Sequence, residues 1–177
     1  MQIAYADPPY IGQAKKHYGS EAKEVNHSLL IDHLQKFDGW ALSCSSPSLK
    51  EILPLCPDQV RVCAWVKPFA SFKPNVTLAY TWEPILMVPA RKRSCDLPTV
   101  RDYVSCNITL KRDISGAKPE GFCFWLFEAL GMWKDDTFFD LFPGSKAVIT
   151  ALRKWRNQIE LFDPPEKLTK GKEQLWQ

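Results

Sequence analysis

The sequence predicts an α/β domain: a mostly parallel sheet with helices on both faces. Short apolar runs of strand length alternate along the chain with stretches whose apolar residues recur at helical spacing. Several runs stop abruptly in proline- or glycine-bearing turns, as strands do where they hand over to loops. The chain has 177 residues, 45% hydrophobic and 24% charged, which fits one domain with a real core. There is no internal repeat and no sign of a second domain, so 1–177 is read as a single unit.

The elements follow in order. Gln2 to Ala6 is a brief buried strand that feeds Asp7-Pro8-Pro9. Ser28 to Phe37 carries Leu29, Leu30, His33, Leu34 and Phe37 at helical spacing, with Asn26 or Ser28 as its cap. Trp40 to Cys44 is the next strand, and Ser46-Pro47-Ser48 opens a short helix through Leu53. Val60 to Val66 is a Val-rich buried strand, and 67–80 is loop. Trp82 to Val88 is a strand interrupted by Pro84, which points to an edge or a bulge. Residues 89–118 show few periodic signals and many charges, a long excursion of the kind that often carries function. Pro119 opens a helix through Leu130 that Gly131 ends. Thr137 to Phe142 is a strand, Ala147 to Trp155 a helix, Gln158 to Phe162 a last strand, and the polar tail from Asp163 frays.

Composition narrows the function classes. Lys and Arg number 23 against 20 Asp and Glu, a net charge of +3 that tolerates nucleic acid without demanding it. The cations cluster at Lys15-Lys16, Arg91-Lys92-Arg93 and Lys111-Arg112. The six cysteines form no C-x-x-C pair and have no His at ligand spacing, which argues against zinc or any other metal. Cys44, Cys63 and Cys123 lie in apolar runs as small buried hydrophobes, which fits a reduced, cytoplasmic protein. No apolar run reaches membrane-spanning length, and the first residues do not read as a signal peptide.

Three segments bear chemistry. Asp7-Pro8-Pro9-Tyr10 follows a strand, so Asp7 stands at the carboxyl end of the sheet, where open α/β folds bind ligands. The prolines stiffen the backbone and make an acceptor array of the Asp7 carboxylate and the Pro8 carbonyl. Tyr10 adds a flat face on which a base can stack. Two acceptors on the hydrogens of a ring-conjugated amino group would free its delocalised lone pair, an electrostatic form of catalysis. Read alone, these four residues are equally an ordinary proline turn. Asp140-Leu141-Phe142-Pro143-Gly144-Ser145 again links a strand to a helix; Gly144 permits close backbone approach, and Ser145 with the first helix amides suits a carboxylate. Glu160, near the end of the next expected strand, is placed to accept ribose hydroxyls, with Asp163 as its competitor.

Together, Asp-Pro-Pro-Tyr and Asp-Leu-Phe-Pro-Gly-Ser resemble the signature pair of the amino-methyltransferases that make N6-methyladenine or N4-methylcytosine. Lys118-Pro119 ahead of a helix resembles the Lys-Pro that touches the methionine part of that family's cofactor. Catalytic motif first and cofactor motif last is the permuted, beta-type order of restriction-modification and phage enzymes. Trp65-Val66-Lys67 and Trp82-Glu83-Pro84 resemble segments of small phage and actinobacterial members. The resemblance implies a Rossmann-like methyltransferase fold in permuted order and S-adenosyl-L-methionine as cofactor. It implies transfer to an exocyclic amino group, adenine N6 in DNA, with cytosine N4, RNA or a catalytically inactive nucleic-acid-binding module as alternatives. Asp7, Pro8, Pro9 and Tyr10 are then catalytic. Lys118, Pro119, Asp140, Phe142, Gly144, Ser145 and Glu160 hold the cofactor. Lys15, Lys16, Arg91, Lys92, Arg93, Lys111 and Arg112 meet phosphates. The setting is the cytoplasm of a bacterium or a phage-infected host; the substrate is DNA, single-stranded DNA or RNA included, and a homodimer is one assembly allowed.

Two departures from the family pattern stand out. The third residue of the cofactor loop is usually Gly but is Lys146 here, which either weakens cofactor binding or pairs with the cofactor carboxylate. The region for target recognition is only about 69–118, small enough to suggest short or relaxed recognition, a helper subunit or a single-stranded substrate.

Overall fold

The structure, a computed structural model, describes residues 1–13, 23–69, 76–93, 95–108 and 117–162, with backbone only at 159–162. Its strands are β1 (Gln2–Ala6), β2 (Gly39–Ser43), β3 (Arg61–Val66), β4 (Trp82–Val88), β5 (Tyr103–Ser105) and β6 (Thr137–Asp140). Its helices are α1 (His27–Leu34), α2 (Leu49–Ile52, extended by a 3₁₀ turn at Leu53–Leu55), α3 (Glu120–Ala129) and α4 (Ala147–Phe162). The strands form one sheet in the order β5-β3-β4-β2-β1-β6. β1 pairs in parallel with β2 and β6, and β3 with β5, while β4 runs antiparallel to both its neighbours. The expected mostly parallel α/β architecture is what the chain adopts.

Strand periodicity of two assigns the layers. Ile3 and Tyr5 of β1, with Ala41, Cys63, Trp65, Ile85 and Met87, pack against Phe122, Leu126 and Phe127 of α3 and Val148, Leu152 and Trp155 of α4. Ala4 and Ala6, with Trp40, Leu42 and Leu86, pack on the other face against Ile31 and Leu34 of α1 and Ile52 of α2. Both faces of β1 and β2 are buried, which is why those segments are continuous apolar runs instead of alternating ones. The Asn26 side chain caps α1 by accepting from the Leu29 amide, and Gly131 takes the left-handed conformation (φ +70°) that closes α3.

Three expectations are corrected. Pro84 does not mark an edge or a bulge, because β4 lies between β3 and β2. The Pro84 carbonyl accepts from the Cys44 amide one step beyond the β2–β4 ladder, so the missing N–H falls where the pairing has already ended. The 89–118 excursion contains a strand, β5, whose Tyr103-Val104-Ser105 is too short to show a period. The last expected strand, Gln158 to Phe162, is instead the continuation of α4, so Glu160 lies in a helix and not at a strand end.

The antiparallel course of β4 carries its carboxyl end to the amino ends of β1 and β6. There Arg91 makes a two-pronged bond to Asp136, at 2.5 and 2.9 Å, donates to the Gly131 carbonyl at 2.5 Å, and lies 4.6 Å over the Trp133 ring. The guanidinium of Arg91, a residue expected to meet phosphates, is clamped to Asp136 and Gly131 at the end of the sheet remote from Asp7. Arg93 donates to the Pro98 carbonyl and Lys92 is exposed, both following the same strand end. Lys15, Lys16, Lys111 and Arg112 lie outside the described residues. Asp136 is buried, and its bonds to Arg91 hold its carboxyl well below the usual carboxylate range. A depressed pKa adds stability above the unfolded-state value, lost as pH falls. Asp136→Asn should therefore cost about 2–4 kcal/mol at pH 7, by urea unfolding, with the gap to wild type closing below about pH 4.

Candidate active site

The carboxyl ends of β1, β2, β3, β5 and β6 and the start of β4 share one edge of the sheet. Asp7-Pro8-Pro9-Tyr10 leaves that edge from β1, and the Asp140 to Ser145 loop leaves it from the neighbouring β6. Tyr5 and Asp140 are register partners, and the Leu141 amide continues the pairing by donating to the Tyr5 carbonyl at 2.9 Å. The two motifs that the sequence singles out are thus side by side, at the place where such sheets bind ligands.

The same periodicity that builds the core builds the site. Asp7 follows Ile3 and Tyr5, Lys67 follows Cys63 and Trp65, and Glu83 precedes Ile85 and Met87, each two residues on. Asp7, Lys67 and Glu83 therefore belong to the α3 face of the sheet, just past the apolar core. Lys118 enters the same space from the turn before α3, where Pro119 is the N-cap residue. Its ammonium lies 2.9 Å from Asp7 Oδ1 and 3.2 Å from Glu83 Oε2, and Lys67 Nζ bonds the other Glu83 oxygen. Beneath it the rings of Trp65 and Phe122 stand 5.3 and 5.8 Å from Lys118 Nζ, and the Trp65 indole is pinned by its bond to the Cys106 carbonyl. The result is a row of alternating charge, Lys67, Glu83, Lys118, Asp7, over an aromatic floor.

Each titration follows from that row. Burial pushes Asp7 up and the adjoining Lys118 opposes it, leaving a net rise. Burial also pushes Glu83 up, but Lys118 and Lys67 outweigh it and hold Glu83 below its usual range. Burial pulls Lys118 down, and Asp7 and Glu83 more than reverse this. Burial, with Glu83 and Asp7 nearby, raises the Tyr10 phenol, so it stays neutral beside Glu83.

The neighbouring loop is shaped differently. Gly144 (φ +39°) and Lys146 (φ +59°) both have left-handed backbone, and the Lys146 amide closes a turn onto the Pro143 carbonyl at 2.6 Å. The position occupied by Lys146 does demand the conformation that glycine adopts freely. Both Asp140 carboxylate oxygens are buried without a hydrogen-bond partner; the Phe142 amide leans toward them short of hydrogen-bond geometry. Burial, with a smaller contribution from Asp7, pushes Asp140 up to about 6.

Of the residues expected at the site, Asp7, Pro8, Pro9, Tyr10, Lys118, Pro119, Asp140, Phe142, Gly144 and Ser145 lie along this edge. Arg91, Lys92 and Arg93 do not, and Glu160 sits in α4. Sequence reasoning assigns no role to Glu83 and Lys67. Their signal is a charge placed in phase with the apolar residues of a buried strand. Among the described residues no cluster has the makings of a metal site, and no helix is long and apolar enough to cross a membrane.

No protein-family model and no curated protein sequence matches the chain. Solved structures do. M1.HpyAVI in complex with SAM is 13% identical, with a TM-score of 0.59 over 88% of this chain and 78% of that one. M1.HpyAVI without it is also 13% identical, with a TM-score of 0.51 over 88% and 76%. TTHA0409 of Thermus thermophilus, 18% identical over 86% of this chain and 76% of that one, reaches 0.49, too low to argue from. The chain has the Rossmann-like methyltransferase fold. The likeness is one of fold.

Left-handed backbone costs an L-residue about 1–2 kcal/mol, part of which glycine's extra unfolded-state freedom takes back. Lys146→Gly should raise unfolding free energy by about 0.5–1 kcal/mol in urea titration, and Lys146→Ala should leave it nearly unchanged.

Proposed function

We propose that this chain is an S-adenosylmethionine-dependent methyltransferase acting on the exocyclic amino group of a nucleobase in DNA, adenine N6. The observation that carries the reading is the juxtaposition, on adjacent parallel strands, of the Asp7-Pro8-Pro9-Tyr10 acceptor loop and the Asp140 to Lys146 loop. The fold shared with M1.HpyAVI, a protein solved with SAM, supports it.

The residues present suit that cofactor. Asp140 is a buried carboxylate lacking a partner, matched to the amino cation of a methionyl group. The left-handed turn at Gly144 and Lys146 opens onto the amino end of the 16-residue α4, matched to a carboxylate. Phe142, half-buried, and Ser145 line the same loop. When bound, S-adenosylmethionine supplies a methyl group activated by a positively charged sulfur.

The rest is the work of the β1 loop. A nucleobase amino group is a weak nucleophile because its lone pair is delocalised into the ring. Asp7 and the Pro8 carbonyl accept hydrogen bonds from its two N–H groups and draw the nitrogen toward a tetrahedral shape, so the lone pair becomes available; once methylated, the nitrogen gives up one proton through Asp7 to solvent. Tyr10, with its phenol beside Glu83, offers a ring face for the base to stack on. Catalysis then rests on orientation and fixed charge, with no covalent enzyme intermediate. A base in a duplex reaches this edge by flipping out of the stack. Lys15, Lys16, Lys111 and Arg112 remain as the basic residues for the backbone phosphates.

Asp7→Ala should lower transfer of labelled methyl from S-adenosylmethionine to adenine-containing DNA by about 10²-fold or more, while cofactor binding by calorimetry persists. Equal transfer by both proteins would sink the role of Asp7. Asp140 yields a pH prediction. Its carboxyl titrates near 6 in the free protein, and only the anion attracts a cation. The cofactor dissociation constant should be flat above about pH 7 and rise about tenfold per unit below 6. Asp140→Asn should bind more weakly and without that pH dependence.

A further inference from the structure

The resemblance implies that the Lys-Pro before α3 touches the cofactor, yet the Lys118 ammonium is directed elsewhere. Its side chain is 6% exposed and its bonds run to Asp7 and Glu83. An ion pair alone would leave the lysine free to swing. Here Glu83 is fixed from its far side by Lys67, and the rings of Trp65 and Phe122 close the space beneath. Four elements converge on this one nitrogen: β1 through Asp7, β3 through Trp65 and Lys67, β4 through Glu83, and α3 through Phe122.

We propose that Lys118 is a positioning residue for methyl transfer: anchored by Glu83 and Lys67, it aims the Asp7 carboxylate and supplies the counter-charge that lets Asp7 meet the substrate amino hydrogens as an anion. The proposal rests on the methyltransferase reading and adds three residues to it, Lys118, Glu83 and Lys67. The ionised carboxyl is the stronger acceptor and the form that offsets positive charge growing on an amino nitrogen, and a carboxylate at a sheet edge, shielded from water, resists ionisation. The other titratable groups facing Asp7 do not help. Glu83 and Asp140 are acids, and Tyr5 and Tyr10 are phenols held neutral, with no charge to offset that of Asp7. Lys67 acts from further away, through Glu83. Lys118 is therefore the cation in contact with Asp7 among the described residues.

The test uses the full chain and a readout independent of turnover. Carboxyl ¹³C NMR, with Asp7 assigned by Asp7→Asn, follows the Asp7 titration in wild type and variants. In Lys118→Met the Asp7 midpoint should rise by about 1–3 pH units, and in Lys118→Arg it should stay within about half a unit of wild type. Lys118→Gln with Glu83→Gln removes one cation and one anion together, guards against misfolding, and should still raise the midpoint. The acid limb of the kcat profile should move by the same amount in each variant, with the cofactor Kd unchanged. An Asp7 midpoint that ignores Lys118→Met overturns the proposal. So does a weakened cofactor Kd with an unmoved acid limb, since Lys118 would then serve the cofactor. A wild-type protein that transfers no methyl to any nucleic acid overturns the reading beneath and the proposal with it. A midpoint that still shifts would then show a coupled pair and nothing more.

Discussion

The contact between Lys118 Nζ and Asp7 Oδ1 ties the chemistry of this chain to its fold. Removing one partner of a buried pair commonly costs about 3–5 kcal/mol, because the other charge is left without compensation. Here the loss would spread, since Glu83 shares the same ammonium. The pair also joins the loop after β1 to the turn before α3, segments far apart in sequence. The aromatic floor of Trp65, Phe122 and Tyr5 lies beneath it, and the Tyr5 hydroxyl is in turn bonded to Ser43 of β2. Core and site are one continuous construction on the α3 face of the sheet, apolar below and ionic above.

The two ends of the sheet are built for different purposes. At the amino ends of the parallel strands, Arg91 and Asp136 satisfy each other fully, and the guanidinium also closes on the end of α3. At the carboxyl ends the structure leaves polar groups under tension. Asp140 is buried without a partner, Lys146 holds a backbone conformation unfavourable for its type, and Asp7 is raised despite its lysine. The unmet Asp140 carboxylate marks where a ligand is expected, whereas at the opposite end Arg156 donates to the Asp136 carbonyl and keeps only its Nε without a partner.

Much of this was legible in the sequence, for identifiable reasons. Strands β1 and β2 are buried and apolar with breakers at their ends, β3 is buried only at Cys63 and Trp65 and not along its length as expected, and the Asn26 cap and Gly131 stop are local signals that tertiary structure did not overrule. The motif pair at 7–10 and 140–145 was legible because each segment is contiguous. What failed depends on pairing across the chain. Pro84 reads as an edge signal until β2 is seen to end beside it. Tyr103-Val104-Ser105 becomes a strand only because β3 offers it a ladder. The residues from Gln158 satisfy a helix begun at Ala147 as well as a short strand, and the helix prevails. Glu83 and Lys67 were visible as charges but gain meaning only through the register that faces Glu83 with Trp65.

Transfer of a methyl group to a ring amino nitrogen is distinguished by its product. Unmethylated DNA would be incubated with the protein and methyl-labelled S-adenosylmethionine, digested to nucleosides and separated. Label should appear in N6-methyldeoxyadenosine, since an acceptor loop without a nucleophilic thiol suits attack by nitrogen. Label on a ring carbon, as in 5-methyldeoxycytidine, would contradict it.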